Sequence, residues 1–156
     1  MKRNEFKLLL EDWKKNFIVE SEIPEASDEE IIAASKLTGV DRIVDELPKG
    51  YATQLNEKGE MLSGGQRQAI TLTRTLINNP DILLLDEPTS SMDTQTEKFV
   101  LENLKTWIEN KTVLVATHRG QLLELADRVV VIDSGKIVAD DKKEAILKKT
   151  QGTKSS

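Results

Sequence analysis

The order of apolar and polar positions divides the chain into short helices followed by short strands. Residues 5–17 carry Phe6, Leu10, Trp13 and Phe17 at steps of four and three, which predicts an amphipathic helix. A polar stretch, SEIPEASDEE, follows. Ser27 and Glu30 then stand at capping-box spacing before Ile31, Ile32, Ala34 and Leu37, predicting a helix that ends at Gly39. Asp41 is placed to cap a further short helix reaching Leu47, stopped by Pro48, and LPKGY reads as a turn. Residues 53–61 read as an irregular loop. From 64 to 77 the pattern Ala69, Ile70, Thr73, Leu76 and Ile77 returns to a helical period, and Asn78-Asn79-Pro80 ends it.

Beyond Pro80 the pattern changes. ILLL at 82–85 is an unbroken apolar run, which predicts a strand buried on both faces. Residues 94–109 read as a helix with Val100, Leu101, Leu104, Trp107 and Ile108 inward. TVLVAT reads as a second buried strand, and 119–126 as a short helix. RVVVID and KIVAD, separated by Ser134 and Gly135, read as a hairpin, with a last helix over 141–149 and a loose tail at 151–156. Strand–helix–strand alternation after residue 80 indicates an α/β sheet, partly parallel.

Composition narrows the chemistry. The 156 residues are 38% hydrophobic and 31% charged, with a net charge of −5, so no general electrostatic case for nucleic acid exists. There is no Cys, hence no disulfide framework or thiolate metal site, and the single His118 excludes a histidine cluster. No apolar run reaches the roughly 18 residues of a membrane span, and the charged N-terminus does not read as a signal peptide.

Four stretches carry candidate chemistry. In LSGGQRQ (residues 62–68) Ser63 stands where a helix cap belongs, and Gly64 and Gly65 add no Cβ between a ligand and the free amides of a first helical turn; such a turn favours an anion. In ILLLDE a strand delivers Asp86 to a sheet edge, where a carboxylate holds Mg²⁺ through water, and Glu87 beside it is placed to polarise an attacking water. SSMD at 90–93 contains good helix caps. ATHR places His118 just beyond a strand, where an imidazole is able to donate a hydrogen bond to a terminal phosphate. Each has a structural alternative: a capped helix, an acidic turn, a cap, a structural histidine.

Taken in their order, LSGGQRQ, LLLDEPTSSMD and ATHR resemble the nucleotide-binding domain of ABC transporters over roughly residues 17–149. The resemblance implies an α/β, P-loop NTPase (ABC ATPase) fold and a head-to-tail sandwich of two such domains around Mg²⁺ and ATP. It assigns Leu62, Ser63, Gly64, Gly65 and Gln66 to the signature that contacts the γ-phosphate of ATP held by the other domain. Asp86 becomes the Walker B carboxylate supporting Mg²⁺, Glu87 the acid that activates water, and His118 the switch histidine. Residues 90–93, with Ser91 and Asp93 expected at nucleotide, become the D-loop that crosses the dimer interface; the family usually writes SALD there. TQLNEKG (residues 53–59) resembles the loop before the signature in exporters, with Asn56 where Gly is usual. DEPTSSMD and the THRGQLLELADRVVVIDSGKIV stretch are most like type I secretion ATPases, which export toxins or adhesins.

The family also needs a Walker A loop, GxxxxGK followed by Ser or Thr, whose amides and Lys hold the phosphates. Only Gly59 and Gly64 have the glycine spacing, and Gly65 stands where Lys is required. The expectation is therefore an incomplete fold: a leader helix at 1–20 outside the resemblance, a helical subdomain at about 25–79, a sheet part at about 80–149 and a disordered tail. A strand is expected to be missing beside TVLVAT, leaving an unpaired edge and marginal stability. The expected role is the ATP-binding component of an exporter, cytoplasmic and peripheral to the inner membrane, partnered by a complete nucleotide-binding domain and a membrane-spanning subunit, and inactive as a hydrolase on its own. The alternatives are a non-catalytic partner that completes or blocks another subunit's ATP site, or the remnant of a split gene.

Overall fold

A computed structural model describes residues 26–53 and 61–152. The expected leader helix, most of the loop at 53–59 with Asn56, and residues 153–156 of the tail lie outside the described residues. Within them the chain forms two compact units, one running to Ala116 and the other beginning at Thr117.

The first unit opens with α1 (Asp28–Thr38), whose capping box forms as expected: Ser27 Oγ accepts from the Glu30 amide and Glu30 Oε2 from the Ser27 amide. The helix ends at Gly39, where φ of 76° is left-handed, a conformation glycine reaches without Cβ strain. From that residue the chain enters α2 (Val40–Asp45) directly. Asp41 thus sits inside the first turn of α2 and does not cap it, because Gly39 already reverses the backbone. A 3₁₀ turn (Gly50–Ala52) follows the LPKG bend.

Helix α3 (Gly64–Leu76) and helix α4 (Thr94–Trp107) complete the helical part. α1 packs against α2, α3 and α4, and α2 against α3. Ile31, Ala34, Val40, Val44, Ala69, Leu72, Leu76, Val100 and Leu104 are buried. Thr38 and Thr73 meet inside this core with their hydroxyl oxygens 2.5 Å apart, so α1 and α3 are joined by a buried polar contact as well as by packing. Asn103 donates to the carbonyl of Leu37, 3.1 Å away, tying α4 to the end of α1.

Strands β1 (Ile82–Asp86) and β2 (Thr112–Ala116) pair in parallel, Ile82 opposite Thr112 and Asp86 opposite Ala116. Among the described residues β2 pairs with no strand besides β1. The expectation that both strands are buried on both faces is wrong. Leu83 and Leu85 are buried, but Ile82, Leu84 and Leu114 are 65%, 72% and 66% exposed. An all-apolar run signals that two faces need cover; among the described residues only one face receives it.

In the second unit the short helix expected at 119–126 is a 3₁₀ helix (Gly120–Leu125). Strands β3 (Arg128–Asp133) and β4 (Lys136–Lys142) form the expected antiparallel hairpin. Ser134 and Gly135 both take positive φ, 48° and 73°, the requirement of a type I′ turn. Arg128 grips Asp140 across the pair with two contacts of 2.7 Å. Helix α5 (Lys143–Gly152) packs on this hairpin and runs through the first two residues of the expected tail.

Candidate functional site

The site is assembled where α3 begins. Ser63 caps it with an extended backbone, its Oγ accepting from the Gln66 amide at 3.1 Å while Gln66 Oε1 accepts from the Ser63 amide at 2.8 Å. The capping box therefore uses the Gln66 side chain structurally and leaves the Ser63 hydroxyl hydrogen free to donate. The amides of Gly64 and Gly65 are the first-turn donors that no helix satisfies internally, and they have no partner among the described residues. An open groove of about 680 Å³ runs past this turn, with Ser91, Asp93, Arg42 and Phe99 also on its wall. Leu62 itself is buried, and its carbonyl accepts from the Arg67 guanidinium at 2.6 Å. Leu62 thus anchors the turn and brings no side chain to the groove.

The two glycines differ. A Cβ on Gly64 would meet nothing closer than 3.6 Å, whereas one on Gly65 would lie 2.8 Å from the backbone oxygen of Ser91. Gly65 is bare because the segment after β1 lies against it. That segment begins with Asp86, exposed at the carboxyl end of β1, and Glu87, whose amide donates to the Ala116 carbonyl and so extends the ladder by one bond. Glu87 has φ of 43°. A non-glycine residue held there costs on the order of 1–3 kcal/mol and is over-determined by its surroundings. Two turns follow, Ser90 N–H to the Glu87 carbonyl and Met92 N–H to the Thr89 carbonyl.

Asp93 then caps α4, accepting from the amides of Gln95 and Thr96 through Oδ1 and from the Thr96 hydroxyl through Oδ2 at 2.6 Å. The Thr96 hydroxyl and amide hold its carboxyl below the usual range. Asp93 is at the groove, but its oxygens are engaged in the cap.

The fold brings together the turn at 62–66, Ser91, Asp93 and the backbone of Glu87. His118 belongs to the second unit, exposed, beside Arg119, whose amide donates to the Thr117 hydroxyl. Two residues absent from the sequence expectations are prominent. Gln68 reaches from α3 to Glu87, Ser90 and Ser91. Glu97 is 1% exposed and accepts from the buried Thr89 hydroxyl at 2.6 Å, fixing the middle of the same segment. The LSGGQRQ heptad contained Gln68 in plain view. Glu97 gave no signal beyond its place on the inward face of α4, one turn before Val100 and Leu101.

A family model described as ABC transporter matches residues 3–90. The chain belongs to the ABC transporter family. It is 43% identical over 124 residues to the leukotoxin export ATP-binding protein LtxB of Aggregatibacter actinomycetemcomitans, covering 80% of this chain and 18% of that protein. It is 40% identical over 126 residues to the ABC transporter ATP-binding protein YknV of Bacillus subtilis, covering 81% and 21%. To the alpha-hemolysin translocation ATP-binding protein HlyB of Escherichia coli it is 41% identical over 124 residues, covering 80% and 18%. This ABC transporter chain thus spans about a fifth of the length of these relatives. Among solved structures it is similar to a bacterial Atm1-family ABC exporter with ATP bound, at a TM-score of 0.72 and 31% identity, covering 84% of this chain and 24% of that one. The fold is accordingly part of an ABC ATPase fold, with mixed helices and strands and a small parallel sheet.

Proposed function

We propose that this chain is an ATP-binding part of an ABC exporter of the toxin-secretion type, and that its α3 turn serves a triphosphate gripped by another nucleotide-binding domain. The observation that carries the reading is the start of α3: two open amides, a free hydroxyl hydrogen and the positive end of a 13-residue helix converge on one groove. The chain's own sequence holds no GxxxxGK loop to supply the remaining phosphate contacts. Positioning the phosphates is most of phosphoryl-transfer catalysis, so the contribution read from residues 1–156 is to complete a site whose phosphate grip lies outside them.

In the assembled sandwich Ser63, Gly64 and Gly65 contact the γ-phosphate of the ATP held by the other domain, and Gln66 keeps their turn in shape, while the acids serve the second ATP of the sandwich. Asp86, exposed at the carboxyl end of β1, would hold Mg²⁺ together with waters and phosphate oxygens. Glu87 orients the attacking water and His118 meets the terminal phosphate. Ser91 and Asp93 border the partner domain. No described helix is long and apolar enough to cross a membrane; by its likeness to the export ATP-binding proteins, this stretch is read as working on the cytoplasmic side with membrane-spanning exporter segments.

The test mixes the chain with an intact, hydrolysis-blocked ATPase domain of a toxin exporter and follows sedimentation. Association is expected to require Mg·ATP and to weaken at least tenfold in Ser63→Arg. Association indifferent to Ser63→Arg, or ATPase of the chain alone that Glu87→Gln abolishes, overturns the reading.

A further inference from the structure

The Gln68 side chain makes three hydrogen bonds, all to one segment. Its Nε2 donates to the Glu87 carbonyl at 2.8 Å and to Ser90 Oγ at 3.1 Å, and its Oε1 accepts from the Ser91 amide at 2.8 Å. The orientation of the amide is fixed by these partners, since a backbone N–H must face the oxygen and a backbone carbonyl the nitrogen. One turn earlier on the same helix face, Gly65 lies against the Ser91 backbone so closely that a Cβ would stand 2.8 Å from its oxygen. The LSGGQ helix and residues 87–91 are therefore joined twice, by contact at Gly65 and by hydrogen bonds at Gln68.

We propose that Gln68 is a positioning residue: it holds the backbone of Glu87, and of the two residues at 90–91, in register with the phosphate-facing turn of α3. Glu87 keeps its left-handed conformation between the Ala116 carbonyl on its amide and the Gln68 amide on its carbonyl. The Ser90 amide, which also reaches that carbonyl, is a contact within the same turn; Gln68 brings the contact from another element. Glu at this position still accepts from Ser91 but sets a carboxylate against the Glu87 carbonyl, and Asn is one methylene short.

The functional meaning rests on the reading proposed above. A helix moves as a rod, so a ligand that draws in the first turn of α3 also draws Gln68, and with it the backbone that aims the Glu87 carboxylate. The occupant of the signature turn is thereby reported to the acid that serves a different phosphate.

Amide hydrogen exchange on the ¹⁵N-labelled full chain tests the brace directly. Gln68→Ala is expected to speed exchange at Ser91 by about five- to tenfold, the loss of one net hydrogen bond, and to shift the Glu87 amide, while amides of α1 keep their rates. Gln68→Glu is expected to restore Ser91 protection and leave the Glu87 shift altered. Unchanged exchange at Ser91 in Gln68→Ala, or uniform acceleration across α1 as well, overturns the proposal; if Gln68→Ala fails to fold, the split between Ser91 and Glu87 in Gln68→Glu decides it. Adding the hydrolysis-blocked partner with Mg·ATP then checks the relay. The Glu87 amide is expected to shift in the native chain and to stay still in Gln68→Ala, although Gly64 responds in both. A shift of Glu87 that persists in Gln68→Ala counts against the relay. Failure of Gly64 to respond in either chain sinks the proposed function, while exchange in the free chain still decides the brace.

Discussion

The helical part of the first unit and the strand pairs have similar supplies of large apolar residues but opposite fates for them. In α1, α3 and α4 the apolar stripes close on one another, and Ala69, Val100 and Leu104 are sealed from water. In the strands, Ile82, Leu84, Leu114, Ile132, Ile137 and Val138 stand open. A helix has one stripe to cover, and neighbouring helices of the same stretch cover it. A strand of an α/β sheet has two faces and needs a layer on each. The exposed face therefore marks where a further layer belongs, which fits a chain spanning a fifth of its relatives.

The largest expected effect contrasts the two environments with one chemistry. Leu104→Ala opens a cavity in the closed core and is expected to cost about 2–5 kcal/mol, read from urea midpoints. Leu84→Ala removes the same atoms from an open face and is expected to change stability by less than about 0.5 kcal/mol. Equal costs would mean that the Leu84 face is covered in solution, and the contrast drawn here would fail.

A smaller effect separates the two signature glycines. Gly65→Ala drives a Cβ into the Ser91 oxygen, and because the obstacle is backbone the helix or the turn must move. The expected loss is about 1–3 kcal/mol. Gly64→Ala has ordinary contact distances, with its nearest neighbour at 3.6 Å, and is expected to be close to neutral in thermal melts. If the two variants melt alike, Gly65 is bare for a ligand's sake alone and the packing of the signature turn on Ser91 is not a constraint.

How much of this was legible in the sequence follows the same division. Helices announce themselves locally. Ser27 with Glu30, and Ser63 as a cap, gave both starts, and both caps formed, the second also as a capping box through Gln66. The Ser134–Gly135 turn was equally local. Burial of the strands was not local: ILLL and TVLVA showed that cover is needed, and nothing in those letters says whether the cover is at hand. The site divides likewise. The LSGGQ cap and the place of Asp86 at a strand end were readable from motif and period, while Gln68 and Glu97 were not: the partners of Gln68 lie about a helix and a strand away in sequence, and that of Glu97 lies eight residues back across a turn. Both roles depend on how the helices pack on residues 87–91, α3 for Gln68 and α4 for Glu97.

The smallest expected effect concerns pH, and it reads the two regions separately. In the helical unit, the Ser27 amide and hydroxyl hold the Glu30 carboxyl below its usual range, and the Thr96 hydroxyl and amide do the same for Asp93. In the hairpin, the Arg128 guanidinium lowers Asp140. All three groups are depressed in the folded state, so the unfolded chain binds protons first as pH falls. Their stabilisation is complete above the unfolded carboxylate range near pH ~4 and is lost as pH drops through the lower folded values. Asn is as good a helix cap as Asp but does not titrate. Asp93→Asn is thus expected to be less stable than the native chain at pH 7 and to converge with it below the unfolded range, in urea midpoints followed by the helical signal. Asp140→Asn is expected to alter the acid response of hairpin amides and leave that helical signal where it was. If Asp140→Asn instead moves the helical midpoint as much as Asp93→Asn does, the two units unfold as one, and the strand faces that stand open are coupled to the core after all.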